Sequence, residues 1–277
     1  MTIVESIKTA IRQLAASGDN ASLEAEILLA HALGTTRTHL RTWPQRKIAA
    51  DIIPRFNDFI QRRATGEPIA YITGTREFWS LELQVTPDVL IPRAETELLV
   101  ECALARLPTG RTARVADLGT GSGALALAIA SERPQCHVVA TEVSAAALAV
   151  AQANARRLRI ANIEFRLGAW YAPLGDARFD LIVSNPPYIA QHDPHLQQGD
   201  LRFEPRDALT AGADEFGALK ILIGEASAHL LPGAWLLVEH GYDQGAAVAE
   251  LLRAQCARDI FAVKDLSGRA RVCGGRY

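Results

Sequence analysis

The chain has 277 residues, 49% of them hydrophobic and 22% charged, with a formal net charge of −2. That length accommodates one α/β domain and a smaller second one, and the slightly acidic balance argues against nucleic acid as the main partner. No apolar run approaches the roughly 20 residues that cross a bilayer, so no membrane association is expected and the expected compartment is the cytoplasm.

From the N-terminus, Thr2-Ile3-Val4-Glu5 reads as a capping box opening a helix, with Ile3, Ile7, Ile11 and Leu14 on one face. This outweighs a targeting-peptide reading. A second helix over Ser22 to Leu33 stops at Gly34, a C′ position. A third follows Pro54 through Phe56, Phe59 and Ile60 to Gly66. Between Arg37 and Arg63 basic residues exceed acidic ones, which reads as a solvated helix face more readily than as a docking surface. From Glu77 to Ile91 the pattern changes to near alternation at Phe78, Leu81, Leu83 and Val85, a hairpin joining two domains. Beyond Pro92, strands are expected near 114–118, 137–142, 163–167, 179–184, 234–240, 259–265 and 269–276. Helices are expected near 95–106, 122–132, 144–157, 216–231 and 243–256. Such alternation implies a largely parallel sheet covered on both faces. The last two strands, separated only by Ser267-Gly268, form an antiparallel hairpin.

Cys102, Cys136, Cys256 and Cys273 form no Cys-x-x-Cys pair, so neither a zinc site nor a disulfide framework is indicated. His192-Asp193-Pro194-His195 lies in a polar loop, and no metal is expected there or elsewhere.

Two motifs carry chemistry. In Val115 to Gly123 a strand runs into a Gly-rich turn, Gly119-Thr120-Gly121-Ser122-Gly123, before the helical stretch Ala124 to Ala130. This arrangement lets backbone approach a cofactor closely. The next strand ends at Glu142, about twenty residues on, where an acidic residue accepts hydrogen bonds from ribose hydroxyls. S-adenosylmethionine and NAD both contain that ribose. The second motif is Asn185-Pro186-Pro187-Tyr188, at the end of the apolar run Phe179 to Ser184. Two prolines fix φ and remove two donors, leaving a stiff loop rich in acceptors. With the Asn185 side-chain oxygen it can hold both hydrogens of a planar NH2 group, while the Tyr188 ring covers the flat face. An amine-orienting clamp serves a methyl donor and has no evident use in hydride transfer, which favours S-adenosylmethionine. Thr96 and Glu97 read as a helix cap and a first-turn charge.

Together these motifs resemble the class I methyltransferases, and more narrowly the HemK/PrmC family of release factor glutamine methyltransferases. The likeness extends through Gly66 to Gly74, Leu90 to Glu97, Asp117 to Gly123, Asn185 to Tyr188, Arg202 to Arg206 and Glu239-His240-Gly241. It implies an α/β class I methyltransferase fold, a mostly parallel seven-stranded sheet with an antiparallel C-terminal hairpin, plus a small N-terminal all-helical domain. The implied division is a partner-recognition domain over 1–75, a β-hairpin linker over 76–92 and a methyltransferase domain over 93–277.

The implied cofactor is S-adenosylmethionine, with S-adenosylhomocysteine as product. The implied substrate is the glutamine of the Gly-Gly-Gln tip in class I peptide-chain release factors, with no direct nucleic-acid substrate. A monomer is expected. The family's roles place Gly119, Thr120, Gly121, Ser122, Gly123, Glu142, Trp170 and Asn185 at the cofactor. Asn185, Pro186, Pro187 and Tyr188 face the substrate, with Asn185 and Pro186 catalytic. Glu142 stands where many relatives carry Asp, and Ala94 where Pro is common; Glu retains the carboxylate that ribose needs. The alternative acceptor is the exocyclic amine of adenine in DNA or RNA, which presents the same flat conjugated NH2.

Overall fold

A computed structural model describes residues 1–15 and 20–277, which fall into two compact units. The first comprises Met1–Thr75 together with His195–Phe203. Its helices are α1 (Ile3–Leu14), α2 (Ala21–Leu33), α3 (Arg37–Thr42), α4 (Ile52–Ala64) and α5 (Ile69–Thr73). The capping box opens α1: Thr2 Oγ1 accepts from the Glu5 amide, and the Glu5 carboxylate accepts from the Thr2 amide. Gly34 ends α2 in the left-handed region at φ 61°. Ile3, Leu14, Leu28, Leu29, Phe56 and Ile60 share one core. Much of the basic excess is neutralised inside this unit. Arg37 and Arg41 pair with Glu26, Arg62 with Glu67, and Arg63 with Glu24 and Asp200.

The second unit, Arg76–Pro194 with Glu204–Tyr277, holds most of the hairpin β1 (Thr75–Phe78) and β2 (Leu81–Gln84). Its turn residues Trp79 and Ser80 both have positive φ, 52° and 59°, as a primed two-residue turn requires. The Glu97 carboxylate accepts from the Trp79 amide at 2.8 Å and that of Glu132 from its indole at 2.9 Å. There follow α6 (Glu97–Leu104), β3 (Arg114–Leu118), α7 (Ala124–Glu132), β4 (His137–Glu142), α8 (Ala145–Leu158), β5 (Ile163–Leu167) and β6 (Phe179–Ser184). The unit ends with the short α9 (Arg206–Leu209), α10 (Gly217–His229), β7 (Leu230–Glu239), α11 (Gly245–Ala254), β8 (Arg258–Lys264) and β9 (Ala270–Arg276).

The seven strands lie in the order β5-β4-β3-β6-β7-β9-β8. β9 pairs antiparallel with both β7 and β8, and the remaining pairs are parallel. This is the expected mostly parallel sheet with an antiparallel C-terminal hairpin. Period-2 alternation fills both faces: Val115, Val138, Ala140, Leu181 and Leu237 face one core with α6 and α7, while Ala116, Leu118, Val139, Ile182 and Leu236 face another with α10 and α11. One boundary differs from the sequence expectation of a helix to 231 and a strand from 234. The chain is already extended at Leu230, which pairs with Phe179, and a bulge then shifts the register before Leu181 meets Trp235.

The order reverses at β3, whose neighbours are β4 on one side and β6 on the other. The carboxyl ends of strands at such a switch point are where open α/β sheets bind ligands.

Candidate active site

The parallel register Val115↔Leu181, Ala116↔Ile182, Asp117↔Val183 brings the ends of β3 and β6 side by side. Ser184 Oγ closes the pair by donating to the Leu118 carbonyl at 2.7 Å. The Gly-rich turn and the Asn185 loop, 66 residues apart in sequence, therefore leave the sheet at one place. A cavity of about 610 Å³ opens there, within the range of small-molecule sites.

Gly119, Thr120, Gly121 and Ser122 line one wall. Gly119, at φ 76°, adopts a conformation that L side chains rarely take, and an added Cβ would meet the Trp170 ring at 3.0 Å. Asp117, fully buried, ties the turn to α7: its Oδ2 accepts from Thr120 Oγ1 at 2.6 Å and from the Ala126 amide at 3.2 Å. Burial pushes the Asp117 carboxyl up to about 7, against those two hydrogen bonds. Gly123 does not line the cavity. It caps α7 from the left-handed region, with Leu127 and Ala151 packed against it. Gly119→Ala is expected to destabilise the unit by about 1–2 kcal/mol through the left-handed penalty alone and to weaken cofactor affinity by displacing Trp170. Thermal unfolding and ligand titration check the two effects separately.

Glu142 ends β4 and lines the same cavity. Its Oε2 accepts from the Gly121 amide and its Oε1 from the Ser144 amide, both at 2.9 Å. The carboxylate is thereby fixed in orientation, and each oxygen keeps a further lone pair for a diol. Trp170 forms another wall. Its φ of 47° is unusual for a bulky residue, and its carbonyl is held by Thr141 Oγ1 at 2.9 Å.

Of the Asn-Pro-Pro-Tyr loop, Asn185 and Pro187 line the cavity. Pro186 is buried. Asn185 Nδ2 donates to Thr96 Oγ1 at 3.0 Å, which leaves Oδ1 as the end available to a ligand. Tyr188 does not line the cavity. Its hydroxyl donates to Glu239 Oε1 at 3.3 Å, and burial, with Glu239 next in effect, pushes the phenol pKa well up.

Thr96 and Glu97, read from the sequence as a helix cap and a first-turn charge, and Arg93 make further contacts in this region. Thr96 makes no capping bond; its hydroxyl is buried against Asn185. Glu97 is the expected acidic residue in the first turn of α6 and also holds the hairpin turn. Arg93 lines the cavity and pairs at 2.5 Å with Glu204, whose other oxygen accepts from the Ile91 amide at 3.1 Å. That pairing brings Pro205, Asp207 and Ala208 to the cavity rim. A hydroxyl immediately before a helix is read as a cap by local pattern. Nothing local announces a partner 89 residues on. Among the described residues no group of three or more His, Cys, Asp or Glu is placed to hold a metal ion.

The site fits S-adenosylmethionine on its own terms. An acceptor-only carboxylate lines the cavity bonded to a glycine turn where backbone comes close, an indole lines it too, and the volume is sufficient.

Comparison with known proteins agrees. Residues 5–74 match the family described as PrmC N-terminal domain, and residues 94–203 match the methyltransferase small domain. The chain is 54% identical over 254 residues to a release factor glutamine methyltransferase of Xylella fastidiosa, covering 92% of each chain. It is 46% identical over 276 residues to a protein of the same name from Coxiella burnetii, covering 100% of this chain and 99% of that one. A methyltransferase structure from Pyrococcus furiosus shares the fold with a TM-score of 0.52 at 19% identity, over 79% of this chain and 98% of that one. With identity at this level over nearly the whole length, the chain belongs to the release factor glutamine methyltransferase family.

Proposed function

We propose that this protein methylates the side-chain amide nitrogen of the glutamine in the Gly-Gly-Gln motif of class I peptide-chain release factors, using S-adenosylmethionine. The observation that carries this reading is the Asn185 amide, whose nitrogen is tied to Thr96 and whose oxygen is left to accept at the cavity. When bound, S-adenosylmethionine supplies a methyl group on a positively charged sulfur, an activated electrophile. The chain's part is to hold both reactants.

Glu142 takes the ribose hydroxyls, the turn Gly119 to Gly123 lies along the methionine end, and Trp170 packs beside them. On the acceptor side, Asn185 Oδ1 and the Pro186 carbonyl each take one hydrogen of the NH2 group, with Pro187 as a wall and Tyr188 holding the loop. An amide nitrogen is a poor nucleophile because its lone pair is delocalised into the carbonyl. The two acceptors strengthen as that nitrogen becomes positive, so their stabilisation is greatest in the transition state. The methylated nitrogen is acidic and sheds its proton readily, so no strong base is required at Asn185.

The helical unit at 1–75 recognises the partner, residues 76–92 link it, and residues 93–277 carry the chemistry. The protein acts in the cytoplasm as a monomer, on protein and not directly on nucleic acid. The net charge of −2 and the internal pairing of Arg37, Arg41, Arg62 and Arg63 support the choice of protein over nucleic acid. No helix among the described residues is long and apolar enough to cross a membrane.

The test is to incubate the protein with isotope-labelled S-adenosylmethionine and a purified class I release factor, then locate the label by mass spectrometry. One labelled methyl on the Gly-Gly-Gln glutamine is expected. Label only on another residue, or only on added DNA or RNA, overturns the reading.

A further inference from the structure

Behind the Asn-Pro-Pro-Tyr loop lies a buried polar chain that the reaction itself does not use. Glu239, the last residue of β7, is 1% exposed. The Tyr188 hydroxyl donates to its Oε1 at 3.3 Å, and the neighbouring Thr96 side chain favours its charged form. Its Oε2 is buried without a hydrogen-bond partner among the described residues. Thr96, 4% exposed, in turn accepts from Asn185 Nδ2.

Proton counting gives this chain a direction. A threonine hydroxyl carries one proton. With its lone pair engaged by Asn185 Nδ2, that proton must go to another acceptor, and an ionised carboxylate is acceptor-only. The run Asn185 Nδ2–H to Thr96 Oγ1–H to Glu239 is therefore one-way, and it turns Asn185 Oδ1 toward the cavity. A neutral Glu239 reverses the logic. It can donate to Thr96, whose proton then swings to Asn185; the amide satisfies that proton by rotating, and Nδ2 faces the cavity. A donor there repels the NH2 group that an acceptor would hold. We infer that Glu239, acting through Thr96, is a positioning residue that decides which end of the Asn185 amide faces the acceptor nitrogen, an inference that rests on the methyl-transfer reading above.

The surrounding groups bear on its ionisation. Burial pushes the Glu239 carboxyl up to about 7; Thr96, Arg271 on β9 and Tyr188 oppose this, while Glu95 on the turn before α6 adds to it. His240, the next residue, has its pKa lowered by burial, so it is neutral at this pH. The charged, productive form is present above about 7 and lost as pH falls through that value.

Three variants separate positioning from fold. Thr96→Val keeps the shape and removes the hydroxyl, and kcat is expected to fall roughly 10–100-fold with cofactor Kd within about 2-fold of wild type. Thr96→Ser restores the hydroxyl and should recover kcat to within about 3-fold. Glu239→Gln should abolish the acid limb near pH 7. A second readout needs no acceptor. In 15N-labelled protein, the Asn185 side-chain NH2 resonances should titrate near pH 7, stop titrating in Glu239→Gln, and move in Thr96→Val but not in Thr96→Ser. Wild-type kcat in Thr96→Val, or an unchanged acid limb and unchanged Asn185 titration in Glu239→Gln, overturns the relay. Absence of methyl transfer to a release factor by wild type overturns the functional reading instead, while the resonance titration still judges the relay on its own.

Discussion

Asn185→Ala is expected to lower turnover by roughly 10²–10³-fold, the loss seen when one oriented polar group is removed from a charge-stabilising site, with cofactor affinity much less affected. The substitution deletes the Oδ1 acceptor at the cavity and releases Thr96 from its bond to Nδ2. It leaves the backbone in place, because Ser184 still pins the end of β6 to Leu118. What is lost is stabilisation of positive charge developing on the acceptor nitrogen, so the effect belongs in kcat more than in KM. Single-turnover methyl transfer gives the first number and calorimetric titration with S-adenosylmethionine the second. A binding isotherm lost together with activity would assign Asn185 mainly to the cofactor or the fold.

Glu142→Ala should show the opposite split, with cofactor binding weakened by about 1.5–3 kcal/mol, the worth of hydrogen bonds to a charged group, or roughly 10–150-fold in Kd. Two effects act in the same direction. The diol loses its acceptor, and the amides of Gly121 and Ser144 lose the carboxylate that orients them. Glu142→Gln tells these apart, because one amide oxygen can still accept while the NH2 end confronts a backbone N–H. Turnover at saturating cofactor should change little in either variant. Unchanged Kd in Glu142→Ala removes this residue from the site.

The core of the fold was legible because its signals are local or periodic. Central strands such as Val115 to Leu118 and Leu181 to Ser184 are apolar on both faces, as parallel strands under two helical layers must be. Gly34 stops a helix by a backbone rule, and Thr2 and Glu5 cap one within four residues. The Gly-rich turn and the diproline loop are likewise short, and Gly119, Glu142, Trp170 and Asn185 all line one cavity.

What stayed illegible is long-range or contrary to propensity. Arg93 meets Glu204 across 111 residues and Thr96 meets Asn185 across 89. Trp79-Ser80 takes a turn that favours Asn-Gly, and Trp170 sits in the left-handed region. Tertiary hydrogen bonds to Trp79 and from Thr141 to the Trp170 carbonyl accompany these conformations, and no window of sequence contains them.

The bond from Ser184 to Leu118 has a consequence for assembly. The Gly-rich turn and the Asn185 loop hang from neighbouring strands, so they come together only once β3 and β6 are paired. Methyl transfer therefore depends on that pairing. A ligand that touches both the turn and the loop pulls any loosened population back toward the paired state by mass action.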